Sequence, residues 1–142
     1  MAELRPPVLD DYGVLAALRW YGGQFARRTG LKVIVQGKES PPRLASAKET
    51  VLFRIAQEAL NNTAKHAQAR QVTVSFETAA ERVWLTIADD GGGFQPHSRP
   101  PVGGSPHWGL LAMREQAETA GRSLEVESAP GQGTRILVEM GR

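Results

Sequence analysis

Residues 71–94, QVTVSFETAAERVWLTIADDGGGF, carry the pattern that decides the architecture. Val72, Val74 and Phe76 alternate with polar residues, and Val83, Leu85 and Ile87 repeat the alternation after a short turn near Ala79–Glu81. A period of two buries one face and leaves the other to solvent, the mark of an antiparallel pair. The second strand runs straight into DDGGGF, Asp89–Phe94. Three successive glycines permit positive φ and let a backbone come close to a ligand.

Downstream, residues 89–106 are rich in glycine and proline and poor in large apolar side chains, so they read as loop. A helix is expected from about Gly109 to Ala120, stopped by Gly121. A strand with Leu124 and Val126, a PGQG turn at Pro130–Gly133 and a last strand with Ile136 and Val138 complete the chain. Upstream, Ser46 and Glu49 have capping-box spacing at the start of a helix running to about Ala67. Gly37–Ala45, with Pro41 and Pro42, reads as loop, and Leu31, Val33 and Val35 alternate as a strand. An earlier helix, capped by Asp10 or Asp11, is expected to reach Arg28 before Gly30, with Val14, Leu15, Leu18 and Phe25 on one side. Gly22 and Gly23 cost about 1 kcal/mol each relative to alanine and invite a break there. Residues 1–11 read as an extended lead-in, because Pro6 and Pro7 disfavour helix just before them. Helices thus lie between strands that include hairpins. The expected class is α/β, a two-layer sandwich of a mixed, largely antiparallel sheet with helices on one face.

A chain of 142 residues fits one domain with a sizeable core. No stretch approaches the twenty apolar residues that span a bilayer, and no basic-then-apolar leader opens the chain. The absence of cysteine removes disulfides and thiolate metal sites and suits a reducing, cytoplasmic compartment. The net charge of +2 hides an arginine-rich balance, but the basic residues are scattered among acids and only 6% of residues are aromatic. That is a solvated surface and not a nucleic-acid stripe.

Four short segments carry chemistry. In QEALNNTAKHA, Gln57–Ala67, helical spacing gathers Glu58, Asn61, Asn62, Lys65 and His66 within an arc of roughly 140°. Leu52, Ala56, Ala59, Leu60, Thr63 and Ala67 occupy another side. An acid, an amide and an ammonium on one face suit a metal–phosphate group: the acid to orient water, the amide oxygen for Mg²⁺, the ammonium for phosphate oxygens. In DDGGGF, Asp89 stands at a strand end, where a carboxylate can accept a hydrogen bond from an exocyclic amine. It opens a long loop and no parallel βαβ unit, so a dinucleotide fingerprint is excluded. In HWGLLAMRE, His107–Glu115, Gly109 and Leu110 begin a helix whose free N–H groups favour anions. GQGT, Gly131–Thr134, turns between two strands.

In this order and setting the four segments resemble the N box and three glycine boxes of the GHKL ATPases, the Bergerat-fold superfamily of gyrase, heat-shock chaperones, mismatch-repair ATPases and histidine kinases. The resemblance runs from about Ser46 to Met140. LRPPVLDDYG at Leu4–Gly13, LFRIAQEALNN at Leu52–Asn62, KHA at Lys65–Ala67 and ESAPGQGT at Glu127–Thr134 are similar to the nitrate/nitrite-sensor-like sensor histidine kinases of two-component systems. The resemblance implies ATP and Mg²⁺ as cofactors. Asp89 would hold the adenine amino group, with Thr134 supporting it through water. Asn62 would ligate Mg²⁺, with Lys65 and His66 beside it, Lys65 on phosphate. Gly91, Gly93, Gly109, Leu110, Gly131 and Gly133 would shape the pocket. Glu58 stands where gyrase-like ATPases carry their water-activating base, and His107 where the first glycine of the second box belongs. By the same resemblance, residues 1–11 are a junction from dimerisation helices, 12–142 the catalytic domain, and about 95–107 the ATP lid.

A histidine kinase needs a phosphoacceptor His followed by an acid. His66, His97 and His107 are followed by Ala, Ser and Trp, so this chain is expected to bind ATP without phosphorylating itself. Its expected partners are its own dimerisation domain and a response regulator, with no nucleic acid and no direct membrane contact. A stand-alone GHKL ATPase or anti-sigma-factor-type serine kinase is the alternative, and a nucleotide-free adaptor a further one.

Overall fold

The computed structural model describes residues 6–67, 69–91, 123–128 and 131–142. The helix expected at Gly109–Ala120 and the lid expected at 95–107 lie outside these residues. The order of elements is α1 (Pro7–Tyr12), α2 (Val14–Thr29), β1 (Lys32–Lys38), α3 (Ser46–Asn62), one π-helical turn (Thr63–Ala67), β2 (Gln71–Thr78), β3 (Arg82–Asp89), β4 (Ser123–Ser128) and β5 (Thr134–Gly141).

The five strands form one sheet in the order β1-β2-β3-β5-β4. β1 pairs with β2 in parallel, and the other three pairings are antiparallel. The register aligns one row of apolar side chains across the sheet. Val35 lies beside Val74, Val74 opposite Ile87, Ile87 opposite Ile136, and Ile136 opposite Val126. Val72, Val74, Phe76, Val83, Leu85, Ile87, Val138 and Met140 are all at most 2% exposed, which is the expected alternation realised. This face meets the helices: Leu18 and Phe25 of α2 and Leu52, Ala56 and Leu60 of α3 join the same core. Tyr21 stands edge-on to Phe53 at 5.7 Å and ties α2 to α3.

Four local expectations are corrected. Residues 7–12 are helical and not extended, since proline at the first helical position gives up only an N–H that would be unpaired anyway. Neither Asp10 nor Asp11 caps α2. Gly13, at φ 91°, turns the chain between the helices, and the Glu39 carboxylate accepts the Leu15 N–H at 3.1 Å from 24 residues away. No break occurs at Gly22–Gly23. A Cβ on Gly22 would stand 3.1 Å from both Val33 Cγ1 and Val35 Cγ2, so this glycine is where the helix backbone rests on the sheet. The Ser46–Glu49 capping box does not form. Glu49 is 2% exposed and pairs instead with Arg43 at 2.9 Å. The same guanidinium donates to the Leu9 and Asp10 carbonyls in the last turn of α1.

Candidate functional site: the end of the central strand

β3 is the middle strand of the sheet, and its last residue is Asp89. Three elements converge on that carboxylate. From its own turn, the Gly91 N–H donates to Oδ1 at 2.8 Å. From the end of α3, the Thr63 hydroxyl lies 3.3 Å from Oδ2. From β5, paired in register, the Thr134 backbone contributes a hydrogen bond. Desolvation by burial is the largest influence on Asp89 and raises its pKa above the ordinary 3.8, outweighing these hydrogen bonds.

Its neighbour is pushed the other way. Asp90 Oδ1 accepts the Gln71 and Arg70 N–H groups at 3.0 and 2.9 Å, and these bonds lower its pKa. Asp90 pins the start of β2 to the end of β3, whereas Asp89 keeps acceptor capacity in a half-buried position.

Gly133 explains how the GQGT turn reaches this point. At φ 76°, a Cβ there would lie 2.3 Å from the Asp89 carbonyl oxygen and 3.5 Å from Asp90 Cα. Only a residue without a side chain lets the β4–β5 turn press against the strand end. Gly131, at φ 78°, has open space and serves the turn alone. Ser128 Oγ donates to the Gly133 carbonyl at 2.8 Å and lies 3.0 Å from Thr134 Oγ1, which braces the turn from β4.

The α3 end carries the amide and the ammonium. Asn62 is its last α-helical residue, and the following five adopt a π turn, a widening of the helix often found at functional sites. Asn62 Nδ2 is buried and meets no hydrogen-bonding partner among the described residues. Glu58, one turn earlier, is partly buried and Lys65 is exposed. No hydrogen bond or ion pair joins Glu58, Asn62 or Lys65 to Asp89 among the described residues. His66 lies in the π turn, and Gly91 follows Asp90 at the start of the loop. Gly93, Gly109 and Leu110 fall outside the described residues.

Two contributors were not marked by the sequence reading. Thr63 sits on the apolar side of the helix and is 5% exposed, as that side should be, yet its hydroxyl reaches Asp89. The available signal was a lone hydroxyl on an otherwise apolar face, next to Asn62. Ser128 gave no local signal, because its role depends on the β4–β5 register.

A five-stranded mixed sheet with a half-buried acid at the end of its middle strand, a Cβ-less turn against it and a polar helix end beside it defines a nucleotide-binding ATPase fold. The chain belongs to the histidine kinase-, DNA gyrase B-, and HSP90-like ATPase family, whose pattern matches residues 47–141. Among curated proteins it is 36% identical over 138 residues to the oxygen sensor histidine kinase NreB of Staphylococcus carnosus (strain TM300), a match covering 97% of this chain and 39% of that protein. Among solved structures it is similar to the Erythrobacter litoralis EL346 blue-light activated histidine kinase, with a TM-score of 0.67 and 21% identity over 89% of this chain and 41% of that one. The histidine kinase domain of the same protein gives a TM-score of 0.67 at 20% identity, covering 60% of the domain structure. The chain therefore spans about two-fifths of the length of the curated relative it matches.

Proposed function

We propose that this chain is the ATP-binding catalytic domain of a two-component sensor histidine kinase, which passes the ATP γ-phosphoryl group to a histidine on a separate dimerisation domain. One observation carries the reading: the Asp89 carboxylate, oriented by Gly91, Thr63 and Thr134 on a strand end that Gly133 presses, retains an acceptor for an exocyclic amine. Support comes from the family match over residues 47–141 and from the likeness to a sensor kinase along 97% of the chain.

Asp89 holds the adenine amino group, and Thr134, beside it on β5, supports that contact through water. Asn62 is the proposed magnesium ligand through its Oδ1, and its buried Nδ2, which has no acceptor among the described residues, leaves the amide side chain unclaimed there. Among the described residues no group of three His, Cys, Asp or Glu side chains could hold a metal. Mg²⁺ is commonly held by one or two protein oxygens together with substrate phosphates, which suits a single amide. Bound Mg·ATP supplies the phosphoryl group and the charge neutralisation that its transfer needs. Lys65, exposed at the π turn, adds positive charge for phosphate oxygens, His66 lies beside it, and Glu58 occupies the position of a water-orienting acid. Gly91, Gly93, Gly109, Leu110, Gly131 and Gly133 shape the pocket, with residues 95–107 as the lid. Residues 1–11 form the junction from the dimerisation helices, and the domain works in the cytoplasm alongside a response regulator.

The test is calorimetric titration of the chain with ATP, with and without Mg²⁺, followed by incubation of labelled ATP with a dimerisation fragment. Label on the fragment's histidine supports the kinase. Steady hydrolysis by the chain alone favours a stand-alone ATPase, and absence of nucleotide binding removes the reading.

A further inference from the structure

Among the described residues two polar side chains are buried, Glu49 and Thr63. Arg43 satisfies the first. Thr63 has one hydroxyl proton and two acceptors in reach, the Ala59 carbonyl at 3.0 Å and Asp89 Oδ2 at 3.3 Å. The Ala59 carbonyl already receives the Thr63 backbone N–H. The hydroxyl can therefore turn to Asp89 without leaving a helix carbonyl unpaired.

The other donors to Asp89 are backbone groups of its own turn and of the paired strand. They come with the fold. Thr63 differs: it is a side chain from another element, attached directly after Asn62. A carboxylate's terminal torsion is broad, so the Gly91 N–H on Oδ1 alone leaves the plane of the group free to rock. A hydroxyl on Oδ2 removes that freedom. Among the described residues the charge bearing on Asp89 is Asp90; Lys65 on the π turn is exposed, and Arg135 on β5 lies 3.8 Å from Glu127 on β4. No described cation substitutes for the hydroxyl.

We propose that Thr63 is a positioning residue for base selection: its O–H fixes the Asp89 carboxylate in the orientation that accepts the exocyclic amine of adenine. The inference rests on the nucleotide reading above and adds a specificity determinant to it. It ties the base-reading carboxylate to the helix end that carries the proposed magnesium ligand, through a single hydroxyl.

The experiment compares ATP with purine riboside triphosphate, which lacks only the exocyclic amine, on wild type, Thr63→Val and Thr63→Ser. Valine keeps the buried shape and removes the hydroxyl; serine keeps the hydroxyl and removes a methyl. Thr63→Val should bind ATP about tenfold more weakly, the loss of one hydrogen bond to a charged acceptor, while its affinity for the amine-free analogue stays at the wild-type value. Thr63→Ser should restore the preference for ATP. A wild-type preference in Thr63→Val overturns the inference. So does an equal loss of both nucleotides in Thr63→Val and Thr63→Ser, which marks a packing role. Should the valine variant fail to fold, Thr63→Ala replaces it in the same comparison with serine. Wild-type protein that binds neither nucleotide brings down the nucleotide reading itself and this inference with it, an outcome distinct from an altered Thr63 variant on a working site.

Discussion

At Asp89, burial and hydrogen bonding pull in opposite directions and burial wins. The sign matters for stability. Between the ordinary value of 3.8 and the raised folded value, the folded chain keeps a proton that the unfolded chain has released. This group therefore favours folding as pH falls through that window, and its contribution is lost as pH rises past the folded pKa. Recognition of an amine runs the other way, because only the ionised carboxylate is a pure acceptor. ATP affinity is expected to rise as pH climbs through the raised pKa, and calorimetric titrations at a series of pH values measure it. Asp89→Asn should weaken binding at neutral pH by about 1.5–3 kcal/mol and flatten that profile. Equal profiles for both proteins would remove the carboxylate from recognition. Asn62→Ala should abolish the Mg²⁺ dependence of ATP binding, and an unchanged magnesium requirement would count against the amide. The meeting of Gly133 with the Asp89 strand end was legible because the order of the strand, its acid and the glycine turn survives in one dimension. Thr63 was not: its position on the wheel correctly announced burial, and burial conceals which side chain lies across the gap.

Among the elements, α2 shows how neighbouring glycines can differ. Gly22→Ala and Gly23→Ala both gain helix propensity, about 1 kcal/mol in an exposed position. At Gly22 the new methyl meets two valine methyls at 3.1 Å, and overpacking of this kind costs about 1–3 kcal/mol. At Gly23 the nearest contact is the end of the flexible Arg27 side chain at 3.8 Å. Urea denaturation should show Gly22→Ala destabilised by about 1 kcal/mol and Gly23→Ala stabilised by about 0.5 kcal/mol. The same sign for both would contradict the close helix–sheet approach. In the β4–β5 turn, Gly133→Ala should cost about 1–3 kcal/mol from its positive φ alone and displace the Asp89 backbone besides. Sequence periodicity gave every described strand and the long α3, because alternation and helical spacing are local properties. It misjudged the helix caps, where the partners are remote: Glu39 caps α2 across 24 residues, and Arg43 takes Glu49 away from its own capping box.

Across the whole molecule, two cationic side chains tie the last residues to the β1–α3 loop, α3 and the β2–β3 turn. Lys48 of α3 donates to the Gly141 and Arg142 carbonyls, and Arg142 reaches the Ala79, Ser40 and Pro42 carbonyls. Arg43 does the same for α1 and α3. Removing it with Arg43→Ala takes the ion pair from a buried carboxylate, a change that costs about 3 kcal/mol for fully buried pairs and somewhat less here, where Arg43 is half exposed. Thermal denaturation checks this, and an unshifted melting temperature would show that Glu49 has found another donor. The Arg43 contacts also bear on where the domain can be cut. A truncation that begins at Val14, the obvious start of the long helix, would delete the Leu9 and Asp10 carbonyls that orient the guanidinium and the Leu9 side chain that is fully enclosed. The six residues before Gly13 are thus part of the smallest fragment that keeps its interior dry, and expression boundaries belong upstream of Pro7.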